Sequence, residues 1–280
     1  MRINWKVKSF IFRIIDIFDL QRVLYALQRY ATGRSKNNIC QVEDSWILHE
    51  NCLSQYQSPW IIEFGAGKSL SQNIYLSRTG GIQWCVDLNP MLDIDLFNDA
   101  AEQVASLVPE IQCRSCSSLD EIERFYNIKY VSPFRFDGKN LEKNSIDVCI
   151  STNTMEHIPE NQLVELLTHV FDALKPGGSF SARIDYSDHY ASTDGISQLN
   201  FLSFSELEWK KYNHDCHFQN RLRHSSYRSL IEAAGFDIVT DRTFDRCELP
   251  VKVSTCFDLS DSSVDAINGY FCAVKPSPFD

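Results

Sequence analysis

No apolar stretch in these 280 residues approaches the roughly 18 needed to cross a bilayer. The early run Phe10-Ile11-Phe12 is cut by Arg13, which makes a poor secretory h-region. The chain is therefore expected in the cytoplasm, without stable membrane insertion. Basic charge is scarce: 27 Lys and Arg face 37 Asp and Glu, a formal charge of −10. Most of such a surface repels nucleic acid, and no nucleic-acid partner is expected. Metal-type cysteine pairs are missing as well. Ten cysteines are scattered, and only Cys113 and Cys116 form a CxxC, with no second pair or histidines at ligand spacing. That pattern supports neither a zinc site nor a disulfide framework. The basic charge that exists is concentrated. Residues 1–36 carry eight Lys or Arg against two acids, +6, which leaves −16 for the remainder. This segment is a candidate for contact with an acidic surface, whether of a partner, a membrane or its own domain.

With 44% apolar and 12% aromatic residues the chain can bury a full core. Phe10, Ile14, Ile17, Phe18, Val23, Leu24 and Leu27 recur at helical spacing, so one or two amphipathic helices open the chain. Thr32-Gly33-Arg34-Ser35 then punctuates it. Residues 1–58 read as a helical cap, able to make peripheral membrane contact through its basic helix.

From Trp60 onward, short apolar runs alternate with helical stretches. Strands are predicted at Trp60–Phe64, Gln83–Asp87, Ile128–Val131, Ile146–Ser151 and Ser179–Ile184, with helices at Ser69–Ser77, Ile94–Leu107 and Pro159–Leu174. A helix over Ser225–Ala234 precedes two strands, Phe236–Thr240 and Gly269–Val274, with no helix between them. The expected fold is α/β: a doubly wound, Rossmann-like sheet of about seven strands, mostly parallel, with an antiparallel edge hairpin and additional N-terminal helices. Residues 59–280 form this domain. Between the fifth strand and the last helix, 186–223 is longer than a plain connection and rich in aromatics, and reads as a lid over an acceptor.

Ligands of such sheets bind beyond the carboxyl ends of the strands, where strand order reverses. Glu63, Asp87 and the residues after Ser151 fall at such ends. In "IIEFGAGKSL", Gly65 and Gly67 allow a sharp turn and close approach of backbone to a ligand. Asp87 follows Glu63 by 24 positions, room for one helix and one strand, and its carboxylate can accept two hydrogen bonds from a vicinal diol. A dinucleotide site would show a third glycine where Ser69 stands, and Glu63 would sit unfavourably beside a pyrophosphate.

Four segments, "IIEFGAGKS", "CVDLNP", "SIDVCISTNTMEHIP" and "LKPGGSF", resemble the successive signatures of class I S-adenosylmethionine-dependent methyltransferases over roughly residues 60–240. A weaker likeness through "DYSDHYASTDGISQLNFLSFSELEW" and "FQNRLRHSSYRSLIEAAGF" points to a bacterial branch associated with cell-surface saccharides and secondary metabolites. The resemblance implies S-adenosyl-L-methionine as cofactor and a small-molecule acceptor. It implies that Glu63, Gly65, Ala66 and Gly67 line the methionine part and Asp87 binds the ribose, with Leu88 and Asn89 beside the adenosine. Asp137 is the nearest candidate for an adenine contact, with Arg135 competing for the position. Ser151, Thr152 and Asn153 would floor the sulfonium, and Glu156 and His157 open the next helix.

Methyl transfer to a hydroxyl benefits from a base of near-neutral pKa. His189, just beyond the fifth strand, His157 and Asp185 are the catalytic candidates, with loop-orienting and solvated roles as the bland alternatives. Tyr186, Asp188, Tyr190, Asn200 and Arg221 are candidate acceptor residues. An arginine pair, Arg221 and Arg223, facing the cleft would favour a carboxylate or phosphate on the acceptor. Asp185, Asp188 and His189 also admit a divalent ion, but side chains alternate in direction along an extended segment, and no metal is expected.

Overall fold

The computed structural model describes residues 4–18, 20, 36–137, 139–191 and 195–277. The predicted turn at residues 32–35 and the helical positions Val23, Leu24 and Leu27 lie outside the described residues. A seven-stranded sheet organises the chain, in the order β3-β2-β1-β4-β5-β7-β6. The strands are β1 Trp60–Phe64, β2 Ile82–Val86, β3 Ile128–Val131, β4 Ile146–Thr152, β5 Leu174–Asp185, β6 Asp237–Arg246 and β7 Ala266–Val274. Strands β1 to β5 are parallel. β7 inserts antiparallel between β5 and the edge strand β6. The expected hairpin exists, and its second strand, not its first, joins the parallel sheet.

Sheet faces follow the period-two alternation of strand side chains. On β1, Ile61 faces one core and Ile62 and Phe64 face the other. The first face is covered by α2 Asp44–Leu53, α3 Ser71–Leu76, α4 Ile94–Leu107 and α5 Leu119–Tyr126, which supply Trp46, Ile74, Phe97 and Ile122. The other is covered by α6 Glu160–Ala173 and α8 His224–Ala233, through Leu163, Leu167 and Tyr227. Two of these helices escape sequence reading. α5 is only eight residues long and buries Ile122 and Tyr126 alone, one turn apart. α2 mixes polar and apolar residues without a stripe, because it buries Ser45 and His49 as well as Trp46 and Leu53. Local capping starts two of these helices: the Asp93 carboxylate accepts from the Asp95 and Leu96 amides at α4, and Ser118 accepts from the Glu121 amide at α5.

The segment read as an N-terminal cap divides between two places. α2 packs on the sheet, whereas α1 Trp5–Ile17 lies against the 186–223 segment and shares a separate core with it. There Trp5, Phe12 and Ile15 meet Tyr190, Leu199, Phe201 and Trp209. The Trp5 ring lies 4.8 Å from Tyr212 and 5.6 Å from Tyr190 between centroids. The segment also carries a short helix, α7 Glu206–Trp209, started by a capping box between Ser205 and Glu208. Its aromatics thus fill a local core. Among the described residues no helix is long and apolar enough to cross a membrane.

Candidate active site

Strand order reverses between β1 and β4, and a cleft of about 630 Å³ opens beyond the carboxyl ends of β1, β2 and β4. Gly65, Asp87, Leu88, Asn89, Phe134, Phe136, Asp137, Thr154, His157 and Ile158 are among its walls. Gly65 has φ +72, and a Cβ there would lie 2.3 Å from the Thr154 side chain. The turn after β1 is thus pressed against the turn after β4, and only glycine fits both demands. Gly67, at φ +79, faces open space and donates its amide to Asp87 Oδ2 at 3.3 Å.

Asp87 directly follows β2 and has its carboxylate in the cleft. Oδ2 accepts from the Tyr130 hydroxyl at 2.8 Å, and Oδ1 has no donor among the described residues. Burial raises its pKa against the opposing bonds from Tyr130 and Gly67. Tyr130 also accepts from the Met91 amide at 2.8 Å, so its hydroxyl is oriented before it meets Asp87. Leu88 and Asn89 stand exposed on the cleft rim, and Asp137, also exposed, accepts from the Lys139 amide at 3.1 Å.

Glu63 stands behind the glycine turn. Its carboxylate is buried on the α3 face and accepts from Asn73 Nδ2 at 2.7 Å, Gln72 Nε2 at 3.0 Å and the Thr152 hydroxyl at 3.1 Å. Burial outweighs these bonds and pushes its pKa up to about 7. Thr152 in turn meets His49 Nε2 at 3.1 Å, and His49 Nδ1 meets the Ser181 hydroxyl at 2.8 Å. His49 is fully buried, which drives its pKa down to about 3. A polar chain from α2 to α3 therefore runs under the cleft. No sequence motif marks Gln72, Asn73 or His49, of which the first two are neighbours on α3 and the third comes from α2. Ala66 packs toward the same core, and Asn153, at φ +49, is bonded to Arg183. Among the sequence candidates for the cofactor, Gly65, Asp87, Leu88, Asn89, Asp137 and His157 border the cleft; Glu63, Ala66, Gly67, Thr152 and Asn153 support it.

A second cavity, of about 860 Å³, lies on the other side of His157. His157 is the one candidate that borders both. Lys8, Asp185, Ser187, Asp188, His189, Gln198, His217 and Phe218 are among its other walls. His157 and His189 approach with ring centroids 4.8 Å apart, and His217 lies 5.9 Å beyond His189. His157 Nδ1 is 3.0 Å from the Phe218 carbonyl, which fixes the ring. Burial first, then neighbouring His157, lowers the pKa of His189.

Of the expected acceptor residues only Asp188 borders this cavity, and both its oxygens are occupied: Oδ1 by the Tyr190 amide at 2.8 Å, Oδ2 by Asn200 Nδ2 at 2.9 Å. Burial pushes its pKa up to about 6. The structure sends the others inward. The Tyr186 hydroxyl is 2.8 Å from His224 Nδ1, and the Tyr190 hydroxyl donates to the Tyr212 carbonyl at 2.7 Å. Arg221 donates to the Phe201 carbonyl at 3.0 Å and pairs with Glu206; Arg223 donates to the Tyr186 carbonyl at 3.0 Å. Both guanidiniums are buried, so Arg221, a candidate acceptor residue, and Arg223 brace backbone carbonyls rather than face the cleft. Lys8, Ser187, Gln198 and His217 were not legible as cavity residues. Lys8 arrives from α1, about 180 residues away in sequence, and only the packing of α1 brings it there.

No protein-family model and no curated protein sequence matches the chain. Solved structures do match. The Burkholderia thailandensis 1,6-didemethyltoxoflavin-N1-methyltransferase, with 1,6-didemethyltoxoflavin and S-adenosylhomocysteine bound, is 14% identical at a TM-score of 0.51, covering 93% of this chain and 89% of that one. The Haemonchus contortus phosphoethanolamine N-methyltransferase 2, in complex with S-adenosyl-L-methionine, is 15% identical at a TM-score of 0.50, covering 86% of this chain and 55% of that one. At such identities the likeness concerns architecture, and with the strand order above it gives the chain the Rossmann-like fold found in S-adenosylmethionine-dependent methyltransferases.

Proposed function

We propose that this protein is an S-adenosylmethionine-dependent methyltransferase acting on a hydroxyl of a small-molecule acceptor, of the sugar or secondary-metabolite class. The observation that carries the reading is the pair of cavities meeting at His157, one ending in the Asp87 carboxylate and the other in a histidine-lined chamber. The residues fit the cofactor. Asp87 Oδ1 is open to a ribose diol, Phe134, Phe136 and Ile158 offer an apolar wall to an adenine, and the glycine turn at Gly65 borders the cleft on the side left for the methionine part. Bound there, the cofactor supplies a methyl carbon on a cationic sulfur.

The protein's own contribution is alignment and exclusion of water. The 186–223 segment, braced by α1, covers the acceptor chamber. His157, His189 and Asp185 line the side on which an acceptor hydroxyl loses its proton. A hydroxyl acceptor is favoured by this group of bases and by the branch likeness in the sequence. Isothermal titration with S-adenosylmethionine tests the cofactor site: micromolar binding is expected, weakened at least tenfold in Asp87→Ala, and equal binding by that variant would sink the ribose assignment. Labelled methyl from the cofactor, followed into extracts and sugar or phenolic acceptors, tests the activity. Incorporation only into amines would overturn oxygen as the acceptor atom.

A further inference from the structure

The junction of the two cavities brings together donors that no sequence spacing marked as a set. One carboxylate oxygen of Glu156 and one ring nitrogen each of His157 and His189 lie within 4.8 Å of one another. Glu156 is 2% exposed, and its Oε2 has no hydrogen-bond partner. Buried carboxylate oxygens are otherwise paired in proteins, so a lone one calls for a donor or a cation. His157 holds Nδ1 against the Phe218 carbonyl at 3.0 Å, which leaves Nε2 for a ligand. Metal-binding histidines show this arrangement, in which a carbonyl takes the other ring N–H and fixes the tautomer.

We infer that Glu156, His157 and His189 form a binding site for a divalent transition-metal ion at the mouth between the two cavities. Two imidazoles and one carboxylate suit zinc, manganese, iron or cobalt better than calcium. Ligands about 2.1 Å from a tetrahedral ion stand about 3.4 Å apart, so binding draws the most separated pair of the three together by about 1.4 Å. Two of the three ligands, His157 and His189, line the acceptor chamber. The inference rests on the methyltransferase reading above and deepens it. An acceptor hydroxyl coordinated there becomes more acidic and passes its proton to Asp185 on the wall of the same chamber. The oxygen lone pair then bonds to the methyl carbon as the carbon–sulfur bond breaks, its electron pair staying on sulfur.

The full chain, stripped with chelator, is titrated with Co²⁺ and followed by visible absorption and by calorimetry; S-adenosylmethionine binding is measured in parallel. One equivalent of Co²⁺ at micromolar affinity is expected, with a ligand-field spectrum of nitrogen and oxygen donors, and at least tenfold weaker binding in both Glu156→Gln and His189→Asn. Circular dichroism of the metal-free variants checks their fold, and if Glu156→Gln is unfolded the His189→Asn result decides. Absence of stoichiometric binding, or equal binding by folded variants, overturns the site, the latter placing the ion on exposed thiols such as Cys113. Cofactor binding without metal binding refutes this inference alone. Metal binding without cofactor binding refutes the methyltransferase reading alone.

Discussion

The Tyr130 hydroxyl donates to Asp87 Oδ2 at 2.8 Å, joining the carboxyl end of β2 to the middle of the neighbouring strand β3. Because Gly67 donates to the same oxygen, the carboxylate is held from two sides and presents Oδ1 to the cleft.

Tyr130→Phe removes one of those two restraints, together with the acceptor of the Met91 amide. The expected result is about tenfold weaker S-adenosylmethionine binding, the equivalent of about 1.4 kcal/mol, with little change in thermal stability. Calorimetric titration beside a melting curve measures both. An unchanged affinity would show that Gly67 alone orients Asp87.

Gly65 and Gly67 should respond differently to alanine. Both have left-handed φ, which costs an alanine about 1–2 kcal/mol, but only at Gly65 does the new Cβ collide with Thr154. Gly65→Ala is expected to lower stability by about 1–3 kcal/mol more than Gly67→Ala. Paired urea melts give the difference, and equal losses would contradict the close approach of the two turns.

Glu63 links stability to pH with a sign opposite to a salt-bridged acid. Its folded pKa, about 7, lies above its unfolded value, so the native state binds more protons through the window from about 4.5 to 7. Stability contributed by the neutral form is present at low pH and is lost as pH rises, by about 3 kcal/mol. His49 acts the other way: with a folded pKa of about 3, it favours the native state as pH rises toward 6.5. The two slopes offset each other, so the observable is a difference. Glu63→Gln should gain on the parent between pH 5 and 8, as read from urea midpoints at each pH. A constant difference across that range would remove the buried-acid assignment.

Trp5 braces the 186–223 segment at a distance from both the cleft and the sheet core. Trp5→Ala should cost about 3 kcal/mol or more in that sub-core. Acceptor kcat/KM is expected to fall while the affinity for S-adenosylmethionine stays within about twofold, since the cofactor walls come from other elements. Equal loss of both would mean that α1 supports the whole fold.

Strands β1 to β5 and the helices α3, α4 and α6 between them were legible because each carries its own period, and because burial on both faces of a parallel sheet demands continuous apolar runs. Asp87 was legible for a related reason: it follows a strand that ends beside a glycine turn. α2 and α5 were not, since one has no stripe and the other has only two apolar residues on its buried side.

By itself the sequence determined the alternation of elements, the glycine turn after β1 and the carboxylates at two strand ends, all of which depend on residues within a turn or two of each other. Tertiary structure decided which of those side chains meet a ligand. It turned Glu63 into the α3 face, drew Tyr186, Tyr190, Arg221 and Arg223 into hydrogen bonds with loop carbonyls or a histidine, and set His157 between two cavities. The physical reason is that a buried polar group must find a partner, and its partners lie on whichever segments the packed core brings within about 3 Å. Tyr190 reaching Tyr212 and Glu63 reaching Thr152 are contacts of that kind, settled by the approach of whole helices and loops rather than by any local pattern.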